Sequence, residues 1–154
     1  MSKFTEEKYK IGVNQEILFL SLMKLHNVAL DNLNDTDKWS SVDFQLFNSN
    51  CFIELKYRQI PSDRYTDTPF DKKKVDRWNK DIILSKSVVF ICFAYADNTY
   101  YFIKYDKPLF DTFKLSYRSD WDTTNYMIPL SKCFGLDEFV KMFNEPKPNY
   151  SHQD

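Results

Sequence analysis

Apolar positions along this chain change their spacing several times, and each change predicts an element. Thr5, with Glu6 and Glu7 behind it, reads as a helix start, a capping hydroxyl followed by acids at the positive end of the dipole. That helix is expected to run to about Leu25. Its second half, from Ile17 onward, is apolar on nearly every side, which predicts a buried helix with Glu16 at the edge of the greasy segment. Residues 42–47 and 50–57 are strand-like runs separated by Asn48-Ser49, a tight turn. Residues 59–68 form a polar loop holding Pro61 and Tyr65. Thr68-Pro69-Phe70-Asp71 then offers an N-cap, a proline at N1 and an acid at N3, predicting a second helix. On it Val75, Trp78 and Ile82 share one face, and Lys73, Arg77 and Lys80 the opposite face. Two strands follow, 87–95 and 99–105, turning at Asp97-Asn98. Residues 126–130 read as a further strand, 135–143 as a short helix, and the tail 146–154 as loose.

The composition narrows the class. With 154 residues, 43% hydrophobic and 18% aromatic, the chain has material for a real core, and one domain over residues 1–145 is expected. Its two glycines, Gly12 and Gly135, stand alone, which excludes Walker A and dinucleotide-binding loops. Cys51, Cys92 and Cys133 are odd in number, far apart and in apolar surroundings, so they read as reduced core thiols and not as a disulfide or zinc framework. His26 and His152 are too few for a histidine metal site. Nothing resembles a signal peptide or a membrane span, so a soluble intracellular protein, cytoplasmic or nuclear, is expected. Trp39, Trp78 and Trp121 read as packing residues. The net charge of −1 argues against a general nucleic-acid coat, yet residues 54–86 carry nine Lys/Arg against six Asp/Glu.

Three charged residues interrupt the strand pair. Glu54 and Lys56 lie two apart in an apolar run and therefore point to the same face. With an even-numbered turn such as Asn48-Ser49, Phe47 meets Asn50 and Asp43 falls opposite Glu54. A three-residue turn would place Asp43 opposite Leu55 and destroy the cluster. Facing carboxylates repel and call for a cation. Hard oxygen ligands suit Mg²⁺ or Mn²⁺, which polarises a phosphoryl group and lowers the pKa of an attacking water. Lys56 beside them is placed to orient that water and neutralise developing charge. An acid two residues before a lysine is itself common here (Glu6/Lys8, Glu54/Lys56, Asp71/Lys73, Glu145/Lys147), and only the second lies inside an apolar strand preceded by an acid-bearing strand. A structural ion pair at a sheet edge is the bland alternative.

Glu16 in a leading helix, Asp43 in a strand, Glu54-Leu55-Lys56 in the next and then a helix resemble the PD-(D/E)XK nuclease superfamily, over roughly residues 5–95. That superfamily includes restriction endonucleases, phage exonucleases and archaeal-type Holliday junction resolvases. Val42 stands where the motif name has proline. The resemblance implies an α/β fold with a restriction-endonuclease-like core, a central mixed β-sheet flanked by helices. It implies Asp43 and Glu54 as metal ligands, Lys56 as the catalytic lysine, and Glu16 as the acid some members supply from the first helix. The expectation is a Mg²⁺-dependent (or Mn²⁺-dependent) DNA endonuclease, structure-specific or resolvase-like and homodimeric. Arg58, Lys72, Lys73, Arg77 and Lys80 are the candidate phosphate contacts, with Tyr65 placed to stack on a base. A non-catalytic nucleic-acid-binding or regulatory protein on the same fold, and an RNA nuclease, stay open as alternatives.

Overall fold

The computed structural model describes residues 3–35 and 40–144. Along the chain come α1 (Lys3–Leu25), β1 (Leu30–Asn32), β2 (Phe44–Leu46), β3 (Cys51–Arg58), β4 (Asp67–Asp71) and α2 (Lys72–Lys80). Then follow β5 (Val88–Tyr95), β6 (Tyr100–Lys104), α3 (Lys107–Phe110), β7 (Lys114–Arg118), β8 (Thr123–Pro129), β9 (Phe134–Gly135) and α4 (Leu136–Asn144). The result is a mixed α/β fold. Its six-stranded sheet has the order β1-β2-β3-β5-β6-β9, and a separate three-stranded sheet has the order β4-β8-β7. Within the larger sheet β3 and β5 run parallel, and every other pairing is antiparallel. A parallel pair needs a long crossover, and here β4 and α2 lie within it.

Side-chain alternation gives the large sheet two different faces. On one, Ile53 and Leu55 of β3 join Phe44, Phe90, Cys92 and Phe102, covered by Phe19 and Met23 of α1 and Phe139 of α4. On the other, Phe52, Val89, Ile91 and Phe93 pack against Val75 and Trp78 of α2 and against Phe70, Tyr126 and Ile128 of the small sheet. Glu54 and Lys56 share the phase of Phe52 and so belong to this second face.

Several sequence expectations are realised closely. The β5–β6 hairpin turns at Asp97-Asn98, where Asn98 takes a positive φ of 62° and its N–H donates to the Tyr95 carbonyl. Strand β8 and helix α4 form where a strand and a terminal helix were expected. Others are corrected. Helix α1 begins at Lys3, so Thr5 lies inside it and does not cap it. Nor is its second half buried all round: Phe19 and Met23 are enclosed, while Ile17, Leu18 and Leu25 are 55%, 56% and 81% exposed. One stripe of the helix rests on the sheet, and nothing in the described chain covers the opposite stripe.

Thr68-Pro69-Phe70-Asp71 forms β4 instead of a helix start, pairing with β8 from Asp67↔Pro129 to Asp71↔Asn125. Pro69 is tolerated because β4 is an edge strand, where a missing N–H can face away from the ladder. Asp71 is the true cap of α2, its carboxylate accepting from the Lys73 N–H at 2.9 Å. That helix ends at Lys80, so Ile82 falls outside it and is exposed. Trp78 is buried and donates its indole N–H to the Ser41 carbonyl. Trp121 is 64% exposed and is no core residue. Trp39 and the tail expected to be loose lie outside the described residues. No described helix is long and apolar enough to cross a membrane.

Candidate active site

The register on which the cluster depends is the even-turn one. Phe44 pairs with Ile53 and Gln45 with Phe52, so one further step sets Asp43 against Glu54. At that step the ladder gives way. The Asp43 N–H donates to the Ile53 carbonyl, one position off register, and the Asp43 carboxylate Oδ2 takes the Leu55 N–H at 2.8 Å. A side-chain oxygen thus substitutes for a backbone acceptor where β2 parts from β3. This fixes the Asp43 carboxylate over the middle of β3 and leaves Oδ1 pointing elsewhere.

That second oxygen meets helix α1. The Asn34 Nδ2 amide donates to Asp43 Oδ1 at 2.9 Å and to Glu16 Oε1 at 2.8 Å, so one nitrogen bridges two carboxylates from different elements. Asn34 lies in the 3-10 turn Leu33–Asp35 that follows β1, and its own N–H is held by Asn32 Oδ1 at 2.9 Å. Burial first, and the charge of Asp43 second, raise the Glu16 carboxyl above its ordinary value, against the hydrogen bonds from Asn34 and Asn32.

Glu54 is 2% exposed, and its Oε2 accepts from Lys74 Nζ at 3.1 Å. Burial, then the neighbouring Asp43 charge, raise the Glu54 carboxyl well above the usual carboxylate range, only partly offset by Lys74 and Lys56. Lys56 experiences the complementary field. Burial lowers its pKa, the Lys74 ammonium lowers it further, and Glu54 and Asp43 pull it back up. A lysine held below its ordinary value beside raised carboxyls is a group near which protons move readily.

The structure therefore brings Glu16, Asp43, Glu54 and Lys56 into one connected cluster and adds Asn34 and Lys74. Among the described residues, no three His, Cys, Asp or Glu side chains close up into the spacing of a metal-ion site. The donors nevertheless fit a hard divalent cation in kind. Asn34 already brings two carboxylates to a single donor, and Lys74 supplies positive charge to the third. Lys74 lies one turn before Trp78, an i, i+4 pair that sets it on the inward face of α2 whichever residue caps the helix. The signal is in the sequence, but a lysine on that face reads as one more member of a basic stretch. Asn34 carried no signal beyond lying in a polar stretch.

The expected phosphate contacts separate. Arg58 is folded back onto β4, its Nε donating to Thr68 Oγ1 at 3.1 Å and a terminal N–H donating to the Pro69 carbonyl, with the guanidinium 5.5 Å from the Phe93 ring centroid. It anchors the small sheet to the large one. Lys72 pairs within its helix, Nζ lying 3.0 Å from Asp76 Oδ1. Lys73, Arg77 and Lys80 lie exposed on α2 outside the cluster, and Tyr65 is exposed in its loop. Lys56 and Arg58 also open onto a cleft of about 260 Å³ between β3 and the β7–β8 hairpin.

An α/β protein with a mixed six-stranded sheet, carrying a carboxylate–lysine cluster where β2 parts from β3, is the class these features define. No protein-family model matches the chain. No curated protein sequence matches it either.

Proposed function

We propose that the protein is a metal-dependent nuclease that hydrolyses DNA phosphodiester bonds with a water as nucleophile. The observation that carries this reading is Glu54 and Lys56 projecting from one buried strand toward Asp43, with no packing reason for ionisable groups at these positions. Buried charges of this kind are costly and are often retained for chemistry. Asp43 and Glu54, with Glu16, would hold Mg²⁺ or Mn²⁺. When bound, the metal supplies Lewis-acid polarisation and a more acidic water. The chain's own contributions follow from their positions. Asp43 is oriented by the Leu55 N–H, and Asn34 sets the spacing between it and Glu16. Lys56, reachable through the cleft, meets the attacking water and the anionic phosphoryl oxygens. Lys74 balances Glu54 and keeps the cluster from flying apart before substrate arrives.

A restriction-endonuclease-like core is the finer fold reading proposed here. The mixed sheet and its flanking helices support it. Homodimerisation belongs to the same proposal, and the exposed Ile17, Leu18 and Leu25 stripe of α1 is a surface on which a second copy would pack. Sedimentation equilibrium reads that out directly.

A second reading has a specific observation in its favour. Glu54 is already paired with Lys74 and closed from solvent, as a purely structural ion pair would be in a nucleic-acid-binding or regulatory protein. The deciding experiment is cleavage of a panel of four-way junction, flap, linear duplex and single-stranded DNA, with an RNA counterpart, in Mg²⁺ or Mn²⁺. Metal-dependent cutting lost in folded Asp43→Ala and Lys56→Ala supports the nuclease, and the preferred member of the panel identifies its substrate. No cutting, together with no Mn²⁺ binding heat in calorimetry, moves the non-catalytic reading to first place.

A further inference from the structure

Trp121 stands at the tip of the β7–β8 hairpin, 64% exposed, with most of its ring surface outside any core. Its surroundings are ordered. The hairpin is paired from Lys114↔Met127 to Arg118↔Thr123. At the tip the Trp121 N–H donates to the Arg118 carbonyl, and the Tyr117 hydroxyl donates to Asp122, which holds a positive φ of 47°. The Lys8 ammonium of α1 lies 5.8 Å from the Trp121 ring centroid, so the hairpin tip reaches across to the first helix. Trp121, Arg118 and Asn125 form one wall of the cleft whose other wall presents Lys56 and Arg58. Asp71 also lines it, its carboxylate engaged by the Lys73 N–H.

We propose that this cleft binds a single unpaired nucleotide, with its base stacked on Trp121 and its phosphate between Arg118 and Lys56. The inference rests on the nuclease reading only in locating the scissile phosphate at Lys56. A volume of about 260 Å³ has room for one base and its sugar. Every base offers a π-face to an indole, and such stacking tolerates any sequence. Arg118 is held by Asp120 at 2.9 Å, both side chains more than half exposed, an ion pair weak enough for a phosphate to displace. The neighbouring Asn125 amide has donors and an acceptor suited to a base edge. A strand threaded here would place the phosphate next to the stacked base beside Lys56, and the enzyme would then cut at unpaired or splayed nucleotides.

The test titrates the full chain, without metal, into fluorescein-labelled oligo-dT, oligo-rU and a blunt DNA duplex, following the anisotropy of the label. Binding of the single strands, a 5- to 150-fold weaker Kd for Trp121→Ala and near-native affinity for Trp121→Phe are expected on the usual worth of one base stack, roughly 1–3 kcal/mol. In the cleavage assay Trp121→Ala lowers kcat/KM on single strands, and Trp121→Phe restores it, since the stacked base positions the phosphate beside Lys56. The two single-stranded arms show whether the cleft takes DNA, RNA or both. Equal affinity of Trp121→Ala and wild type for both single strands, or tighter binding of the duplex, overturns the proposal. Metal-dependent cutting lost in Lys56→Ala beside unchanged binding by Trp121→Ala removes this cleft and leaves the nuclease reading intact. Trp121-dependent binding with no cutting does the reverse.

Discussion

The eight residues of β3 divide by alternation between two faces that follow opposite rules. Cys51, Ile53 and Leu55 enter a core whose buried members are all apolar, where Phe139 stacks on Phe102 at 4.1 Å and meets Phe90 edge-on at 5.3 Å. Phe52, Glu54, Lys56 and Arg58 alternate with them and bring an acid and two cations onto the other face. On the first face every group gains by leaving water. On the second, Glu54 and Lys56 are each displaced from their ordinary pKa by burial, so the fold carries them at a loss. Both faces carry an apolar core, and only the second also buries charged side chains, which on the nuclease reading is where the chemistry belongs.

Truncations on the two faces should break different properties. For the nuclease reading, Lys56→Ala has the largest expected effect, a fall in cleavage rate of about 10³-fold or more, equivalent to roughly 4 kcal/mol of transition-state stabilisation. Its melting temperature should hold or rise, because a desolvated ammonium has been removed. Phe139→Ala is expected to behave in the opposite way, losing about 3–5 kcal/mol of stability in a urea melt, as fully buried phenylalanines do. Below its unfolding transition it should cut at the wild-type rate. A Lys56→Ala protein that unfolds but cuts, or a Phe139→Ala protein that folds normally but does not cut, would invert the assignment of roles.

How much of this contrast the sequence carried depends on the distance over which each element is decided. The β2–β3 register was legible because the turn at Asn48-Ser49 and the strand periodicity lie within a dozen residues of each other, and the charged triplet interrupts a run that is otherwise apolar. Thr68-Pro69-Phe70-Asp71 was not. Proline at a helix N1 and proline on an edge strand are locally the same, and the choice is made by β8, far along the chain. Lys74, the ion-pair partner of Glu54, shares the Trp78 face of α2 by spacing, but only the crossover that lays α2 against β3 shows which acid it meets. Helix α1 failed for a different reason. Its apolar residues surround the helix, and sequence alone does not say that only the Phe19–Met23 side meets the sheet. Trp121 went the same way, since tryptophan content points to a core unless the hairpin tip is seen.

Lys74 sharpens the comparison, because it is the cation that lets the charged face fold. Lys74→Ala leaves Glu54 buried beside Asp43 with only the Lys56 charge to offset it. The change is expected to reduce stability by about 2–3 kcal/mol near neutral pH, somewhat below the usual figure for a broken buried pair because Lys56 remains and Lys74 is itself 31% exposed. If Asp43 and Glu54 accept a divalent ion, Mn²⁺ should raise the melting temperature of Lys74→Ala by more than that of wild type. A variant indifferent to Mn²⁺ would mean that the carboxylates hold no metal and that Lys74 and Lys56 are their only counter-charges.

Glu54→Gln, a loss of metal binding and cleavage on the nuclease reading, has the smallest effect on stability and the most definite sign. The folded-state pKa of Glu54 is raised above its unfolded value by burial and by Asp43. Its contribution to stability is therefore fully present below the unfolded carboxylate pKa, about 4.3, and is lost as the pH rises through the folded value. Glutamine keeps the shape and cannot ionise. Wild type and Glu54→Gln should melt together near pH 4 and separate as the pH rises, with the variant the more stable once Glu54 is ionised. Lys74 moderates the gap, since glutamine leaves it a weaker partner, but its ammonium reaches water and Glu54 does not. Melting curves at pH 4 and pH 8 decide the matter. A variant less stable than wild type at pH 8 would show that the Lys74–Glu54 attraction outweighs burial and Asp43 repulsion, and that the charged face of β3 stabilises the fold as the apolar one does.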